Sequence, residues 1–449
     1  MSGYVIEGAY VVTVTGEEYP DGHVVVDGNR ITAVGAGPAP DRSGRTVVDG
    51  RGCLLTPGFV NTHNHLFQWV TRGLAVDNTL FEWLTALYPV WAGLDEHAVH
   101  TSASGALAQL ALTGCTTASD HHYLFPRDGG DVLGAGIRAA QEVGLRFHAT
   151  RGSMDLGQSK GGLPPDHVTE DIDAVLAASQ VAIDRWHDPS PDALVRVALA
   201  PCSPFSVTGD LMRASAELAR DRGVLLHTHL AETLDEEDFC REKFGCTPVE
   251  YVERLGWTGE DVWFAHAIHL ADDAVKLIGD TRTGVAHCPS SNARLGAGIA
   301  RTRDLRAAGA RAGLGVDGAA SNEAGSLLEE ARHAVLFARA VGGPTALSVR
   351  DGLELATIGG AAVLGRAGEI GSIEPGKLAD LALWRIDGLG HADVHDPVAA
   401  LVLGAPPPLQ LLLVDGRPVV EQNRVVTVDT DAIARECTAV HRRLLEKTP

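Results

Sequence analysis

The chain has 449 residues, 45% of them hydrophobic, which is enough for a large core and more than one compact domain usually holds. Lys+Arg number 37 against 58 Asp+Glu, giving a formal charge of −21 that phosphate backbones repel and that argues against a nucleic-acid binder. No stretch approaches the roughly 20 continuous apolar residues of a membrane helix. The start Met1-Ser2-Gly3-Tyr4 lacks the charged-then-apolar pattern of a signal peptide. Seven cysteines without paired spacing read as free thiols in a reducing compartment. The expectation is an acidic, cytoplasmic α/β protein. Its 19 histidines call for an explanation.

The first ~55 residues read as β structure. Tyr10-Val11-Val12-Thr13-Val14, His23-Val24-Val25-Val26 and Ile31-Thr32-Ala33-Val34-Gly35 are short strands, with Asp27-Gly28-Asn29-Arg30 as a turn. From about 55 to 365 the pattern changes. Short apolar strands end in polar clusters, and Ala/Leu-rich helical stretches follow them. Strands are expected at 54–65, 116–122, 146–150, 195–201, 224–232, 262–270, 284–290 and 312–317. Eight strands at roughly 33-residue spacing fit eight βα units, hence a (β/α)8 TIM-like barrel. The last stretch returns to β style, with Asp380-Leu381-Ala382-Leu383-Trp384, Leu411-Leu412-Leu413-Val414 and Arg424-Val425-Val426-Thr427-Val428 as strands and Asp415-Gly416-Arg417-Pro418 as a turn. A small sheet is marginal alone, so the two chain ends are expected to pair into one flanking β-sandwich. The predicted organisation is residues 1–55 and 366–449 as the two parts of that sandwich, and 56–365 as the barrel.

Barrels of this kind place reactive residues at the C-terminal ends of strands. The first strand ends Asn61-Thr62-His63-Asn64-His65, and the fifth ends His227-Thr228-His229-Leu230-Ala231-Glu232. The sixth contains Ala265-His266-Ala267-Ile268-His269, and the eighth ends Gly315-Val316-Asp317-Gly318. Chance supplies His-x-His pairs in a chain with this many histidines, so the pattern alone is weak. Residues two apart on a strand share a face, so His63 and His65 point the same way, either as metal ligands or as hydrogen-bonded core histidines. Val-Asp-Gly recurs at Asp27, Asp49 and Asp415 as turn chemistry, and Asp317 stands out only by following the eighth strand. The combination is stronger than its parts. Three imidazoles and one carboxylate suit a divalent metal with an open position for water.

These residues resemble the amidohydrolase superfamily, in its mononuclear nucleobase and triazine deaminase branch. Pro57-Gly58-Phe59-Val60-Asn61-Thr62-His63-Asn64-His65 is similar to that family's first metal motif, and Gly371-Ser372-Ile373-Glu374-Pro375-Gly376-Lys377-Leu378-Ala379-Asp380 to its C-terminal signature. The resemblance covers essentially the whole chain. It implies His63, His65, His229 and Asp317 as ligands of one divalent metal, zinc first and Fe2+ as the alternative. It also implies His266 as the contact to the attacking water or leaving group, Glu232 as the proton-shuttling acid and Asp317 as acceptor of the water's proton. His227 matches no ligand position and is read as structural. Dinuclear members carry a bridging lysine after strand four. Here that strand ends Ala198-Leu199-Ala200-Pro201-Cys202, so one metal is expected. Glu232 also has a bland reading as a solvated charge, because Asp235, Glu236, Glu237 and Asp238 follow it.

The loops resemble the 8-oxoguanine deaminase group in three stretches. One is His65-Leu66-Phe67-Gln68 with the Trp83 and Trp91 segments after it, another is Ser119 to Pro126, and the third is Ala200 to Val207. Gln68 can donate and accept to an amide-like ring edge, and Trp83 can cover a ring face or be plain core. Tyr123 and Cys202 are candidates for the ring's far edge. The implied reaction is hydrolytic deamination of a small heterocyclic base, 8-oxoguanine to urate and ammonia. The alternatives are guanine, an isoxanthopterin-like pterin or an s-triazine. Ala319-Ala320-Ser321-Asn322-Glu323 and His122 depart from the usual pattern and keep these alternatives open. A non-catalytic scaffold is the remaining alternative, and the complete metal set with Glu232 argues against it. A homo-oligomer is expected.

Overall fold

The computed structural model describes residues 3–447, so the first two residues of the N-terminal segment read above lie outside it. The chain opens with five strands, β1 (Gly3–Val12), β2 (Glu18–Asp27), β3 (Arg30–Ala36), β4 (Arg45–Asp49) and β5 (Cys53–Pro57). Eight more follow, β6 (Phe59–Asn61), β7 (Cys115–His122), β8 (Arg146–Ser153), β9 (Val195–Pro201), β10 (Leu226–Leu230), β11 (Val262–His266), β12 (Gly284–His287) and β13 (Arg311–Leu314). The last are β14 (Leu381–Arg385), β15 (Leu409–Val414), β16 (Arg417–Glu421) and β17 (Arg424–Val425).

Strands β6 to β13 form a closed parallel barrel, sealed where Leu314 of β13 pairs with Asn61 of β6. Each expected barrel strand has its counterpart. The first is shorter than the 54–65 run implied, because the chain changes sheets within it. Cys53–Pro57 pairs with β1 and β14, and only Phe59–Asn61 joins the barrel. Gly58 is the crossing point. A Cβ there would collide with the Thr116 side chain, so only glycine lets the two sheets approach.

The remaining nine strands make one mixed sheet from both chain ends, ordered β17-β16-β15-β14-β5-β1-β2-β3 with β4 on β1. Its far ends meet. Asn29 Nδ2, in the β2–β3 turn, donates to Asp415 Oδ1 in the β15–β16 turn at 3.1 Å. Val24, Val26, Ile31, Leu55, Leu381, Leu411 and Leu413 fill the space enclosed. The expected strand 424–428 stops at Val425, and a helix not anticipated from the sequence, Thr430–Lys447, follows. Asp429 Oδ1 caps it through Ala432 N–H. Ile433, Cys437, Val440 and Leu444 recur at helical spacing, with Val440 and Leu444 buried.

Arg146, wholly buried at the start of β8, ties barrel to sheet. Its guanidinium donates to Asp380 Oδ2 (2.8 Å) and Oδ1 (3.1 Å), to Asp415 Oδ1 (2.8 Å) and to the carbonyls of Asp192 and Ala193. Arg146→Met leaves Asp380 buried without its cation and is expected to cost roughly 3–5 kcal/mol of stability. Denaturant unfolding checks this, and a loss below about 1 kcal/mol would show that buried Asp380 does not depend on the Arg146 cation. All seven cysteines are free thiols. No helix among the described residues is long and apolar enough to cross a membrane.

Candidate active site

The C-terminal ends of the barrel strands bring six of the ten expected site residues into one buried cluster. His63 and His65 follow β6, His229 is in β10, Glu232 follows it, His266 ends β11 and Asp317 follows β13. All six are at most 8% exposed. Asp317 Oδ1 lies 3.2 Å from His63 Nε2 and 3.3 Å from His65 Nε2, and His65 Nε2 is 3.0 Å from His229 Nε2.

The outer nitrogens fix the tautomers. His65 Nδ1 faces the His121 carbonyl oxygen at 2.7 Å, and His229 Nδ1 faces the Cys202 carbonyl oxygen at 2.7 Å. A carbonyl only accepts, so each Nδ1 carries the proton and each Nε2 is bare. His63 reaches the same state through a relay. His227 Nδ1 donates to the Trp263 carbonyl (2.9 Å), which leaves its Nε2 to accept from His63 Nδ1 at 2.8 Å. His227, read from the sequence as structural, thus orients a member of the cluster from behind. His63 Nε2 is buried without a hydrogen-bond donor. Bare nitrogens from His65 and His229 facing each other at 3.0 Å repel unless a cation lies between or beside them. Two overlapping groups, His63 with His65, His121 and His229 and His63 with His229, His266 and Asp317, each offer one ligand atom per residue within 4.8 Å of one another. This donor set fits a divalent metal.

Electrostatics agree. Burial pushes His63 and His65 down to about 3 and His229 well below its usual value, so all three are neutral imidazoles at neutral pH. Burial alone would raise Asp317, but the histidines around it hold it well below the usual carboxylate range. Ser291 Oγ also donates to its Oδ2 at 2.6 Å, and Gly318 N–H to its Oδ1 at 2.7 Å. Burial pushes Glu232 up to about 7. Its Oε2 is 3.6 Å from His266 Nε2. Burial works to lower His266, but the carboxylates of Glu232 and Asp317 outweigh it, and Asn292 Oδ1 accepts from its Nδ1 at 2.9 Å.

Ala231, His266, Ala267 and Asp317 have φ of +53°, +71°, +48° and +63°. L-residues adopt this region at a cost of order 1–2 kcal/mol, and it is found where surrounding structure holds a functional side chain in place. No sequence pattern signalled it.

A cavity opens onto the cluster. Gln68, Trp83, Tyr123 and Cys202 all line it, together with Tyr88, Phe205 and Leu295, which the sequence did not single out. Trp83 Nε1 donates to the Ala320 carbonyl at 3.2 Å, which fixes the indole as a wall. Burial pushes the Cys202 thiol up to about 12, so it is an S–H. Gln68 is wholly buried, and neither its amide nitrogen nor its amide oxygen has a partner. It lies against Gly318, where a Cβ would overlap Gln68 Oε1.

The Amidohydrolase family model matches residues 54–419, the barrel together with most of the returning β strands. The chain belongs to the amidohydrolase family. It is a hydrolase acting on carbon–nitrogen bonds. This amidohydrolase is 44% identical over 425 residues to 8-oxoguanine deaminase of Pseudomonas aeruginosa, covering 94% of each chain. It is 36% identical to isoxanthopterin deaminase from an unknown prokaryotic organism, over 95% of this chain and 92% of that one. Its fold superposes on the crystal structure of the zinc-complexed atrazine chlorohydrolase of Arthrobacter aurescens TC1 with a TM-score of 0.93, at 34% identity, covering 98% of this chain and 100% of the other.

Proposed function

We propose that this amidohydrolase hydrolytically deaminates an oxidised purine, converting 8-oxoguanine and water to urate and ammonia. The observation that carries the reading is Gln68, an unpartnered donor–acceptor pair buried in the cavity wall. Such a pair complements the –NH–C(=O)– edge of an oxidised ring, and leaving it unmatched inside the protein costs about 1–3 kcal/mol per group. The 44% identity to a relative named 8-oxoguanine deaminase supports the same choice. Trp83 and Tyr123 would cover the ring, and Cys202 would meet its far edge.

His63, His65, His229 and Asp317 would hold one divalent cation. Zinc is preferred over iron(II), because the reaction needs no redox step and the similar solved structure is complexed with zinc. When bound, the cation supplies the Lewis acidity that makes water a nucleophile near neutral pH. Asp317, an ionised carboxylate in the cluster, accepts a proton from the attacking water. His266, its Nδ1–H tied to Asn292, orients that water's oxygen through Nε2. Glu232, half-protonated near pH 7, gives its proton to the ring nitrogen beside the amino-bearing carbon. The carbon–nitrogen bond then breaks: the proton that Asp317 took from water goes to the amine, which leaves as ammonia, while the adduct's hydroxyl proton passes to Glu232, which forms the ring carbonyl and restores the carboxylic acid.

An ammonia-release screen over 8-oxoguanine, guanine, a pterin and s-triazines tests the substrate. Oxidised purine is expected to lead in kcat/KM by at least about 10-fold. A pterin or triazine in first place would overturn the purine assignment. Cys202→Ala is expected to change the ranking of these substrates by up to about 10-fold while metal content stays constant. An unchanged ranking would show the thiol to be packing alone.

A further inference from the structure

The run Asp235-Glu236-Glu237-Asp238 looks like a solvated acidic face, but its members part company in the fold. Asp235 and Asp238 are exposed, whereas Glu236, in the first turn of the helix Leu234–Phe244, is 0% exposed. Its carboxylate turns back towards the barrel. Oε1 accepts from the Ala231 N–H at 2.9 Å and Oε2 from the Glu232 N–H at 3.1 Å. Both oxygens are therefore engaged by two consecutive backbone amides of the segment that ends β10. The first of these residues is the left-handed Ala231, the second the proton carrier.

A run of ordinary backbone would relax Ala231 out of this conformation, because its methyl group makes φ of +53° unfavourable. Two hydrogen bonds from consecutive backbone amides to one buried carboxyl offset that cost. The carbonyl of the same 231–232 peptide is held by the Ile268 and His269 N–H groups (2.9 and 3.0 Å), so Glu236 supplies the hold on the N–H side, and losing it would loosen the Glu232 backbone behind the carboxyl that faces His266 at 3.6 Å. We propose that Glu236 is a positioning residue that clamps the Ala231–Glu232 backbone and so aims the Glu232 carboxyl into the active-site cavity. The inference rests on the reading of Glu232 as the proton carrier.

Glu236→Gln keeps the shape but sets an amide N–H against one of the two backbone N–H groups. In the metal-loaded enzyme, kcat is expected to fall about 10- to 100-fold, with KM and metal content within about 2-fold of the parent. The deciding measurement is the same substitution in a Glu232→Gln background. A residue that acts only through the Glu232 carboxyl has nothing left to lose there, so the residual rate should change by less than about 2-fold. An equal loss in both backgrounds, or a near-normal kcat in the single variant, would overturn the proposal. If Glu236→Gln does not accumulate as folded protein, Glu236→Asp takes its place. That variant keeps the charge but is one methylene short, and the same outcomes in the two backgrounds support or overturn the proposal. Near-normal turnover of Glu232→Gln alone would instead overturn the proton-carrier reading, so the two failures are told apart.

Discussion

Glu232→Gln is expected to retain the parent's metal content and to lose about two to four orders of magnitude in turnover. The separation follows from position. Glu232 faces His266 at 3.6 Å and lines the cavity, whereas the bare nitrogens of His63, His65 and His229 converge on Asp317 without it. Glutamine fills the same volume and can donate a hydrogen bond, but it cannot surrender a proton to a ring nitrogen and take it back. Burial has already raised the Glu232 carboxyl to about 7, so it holds and releases protons at working pH. The loss should therefore lie in kcat, with KM little changed. Ammonia release and metal analysis on the same preparation provide the check. Turnover within about 3-fold of the parent would remove Glu232 from the chemistry.

Stripping the metal should be more damaging still. Chelation of the holoenzyme is expected to abolish turnover by at least about 10³-fold, because nothing else in the cavity can lower the pKa of water by many units. It should also lower the unfolding temperature. Without a cation, His65 Nε2 and His229 Nε2 face each other at 3.0 Å with lone pairs opposed. A ligand bound at 1,000 times its Kd contributes about 4 kcal/mol to the folded state. One equivalent of zinc should restore both activity and unfolding temperature. Full turnover at below about 0.1 equivalent of metal would defeat the hydrolytic mechanism proposed for this cluster, and no ammonia release from the loaded protein would favour a scaffold.

Much of this was legible in the chain. The eight strand–helix units could be read because period and spacing are local properties that short-range sterics impose. Strand ends of a barrel open at one face, which made His63, His65, His229, His266 and Asp317 candidates, but their roles and that of Glu232 were read from the resemblance to the family's motifs. Gln68, Trp83, Tyr123 and Cys202 were placed near the cavity by motif resemblance, and all four line it. Glu236 was hidden among like charges, since nothing in Asp235-Glu236-Glu237-Asp238 says which carboxylate turns inward. His227 was likewise indistinguishable from a core histidine until Trp263 and His63 were seen on either side of it. The break at Gly58 was missed because both halves of 54–65 are good strand sequence, and only the partners decide which sheet each half joins.

The sequence by itself determined the repeating units, the acidic surface and the kinds of side chain available for chemistry. All of these depend on neighbours a few residues away. Tertiary structure alone decided which carboxylates lose their water, which imidazole nitrogen carries the proton and which amide is left without a partner. Those properties depend on desolvation and on groups brought from far along the chain, as Asn61 Oδ1 is to Val316 N–H, 255 positions away. Closing the barrel brings such groups together, and no local pattern along the chain records that closure.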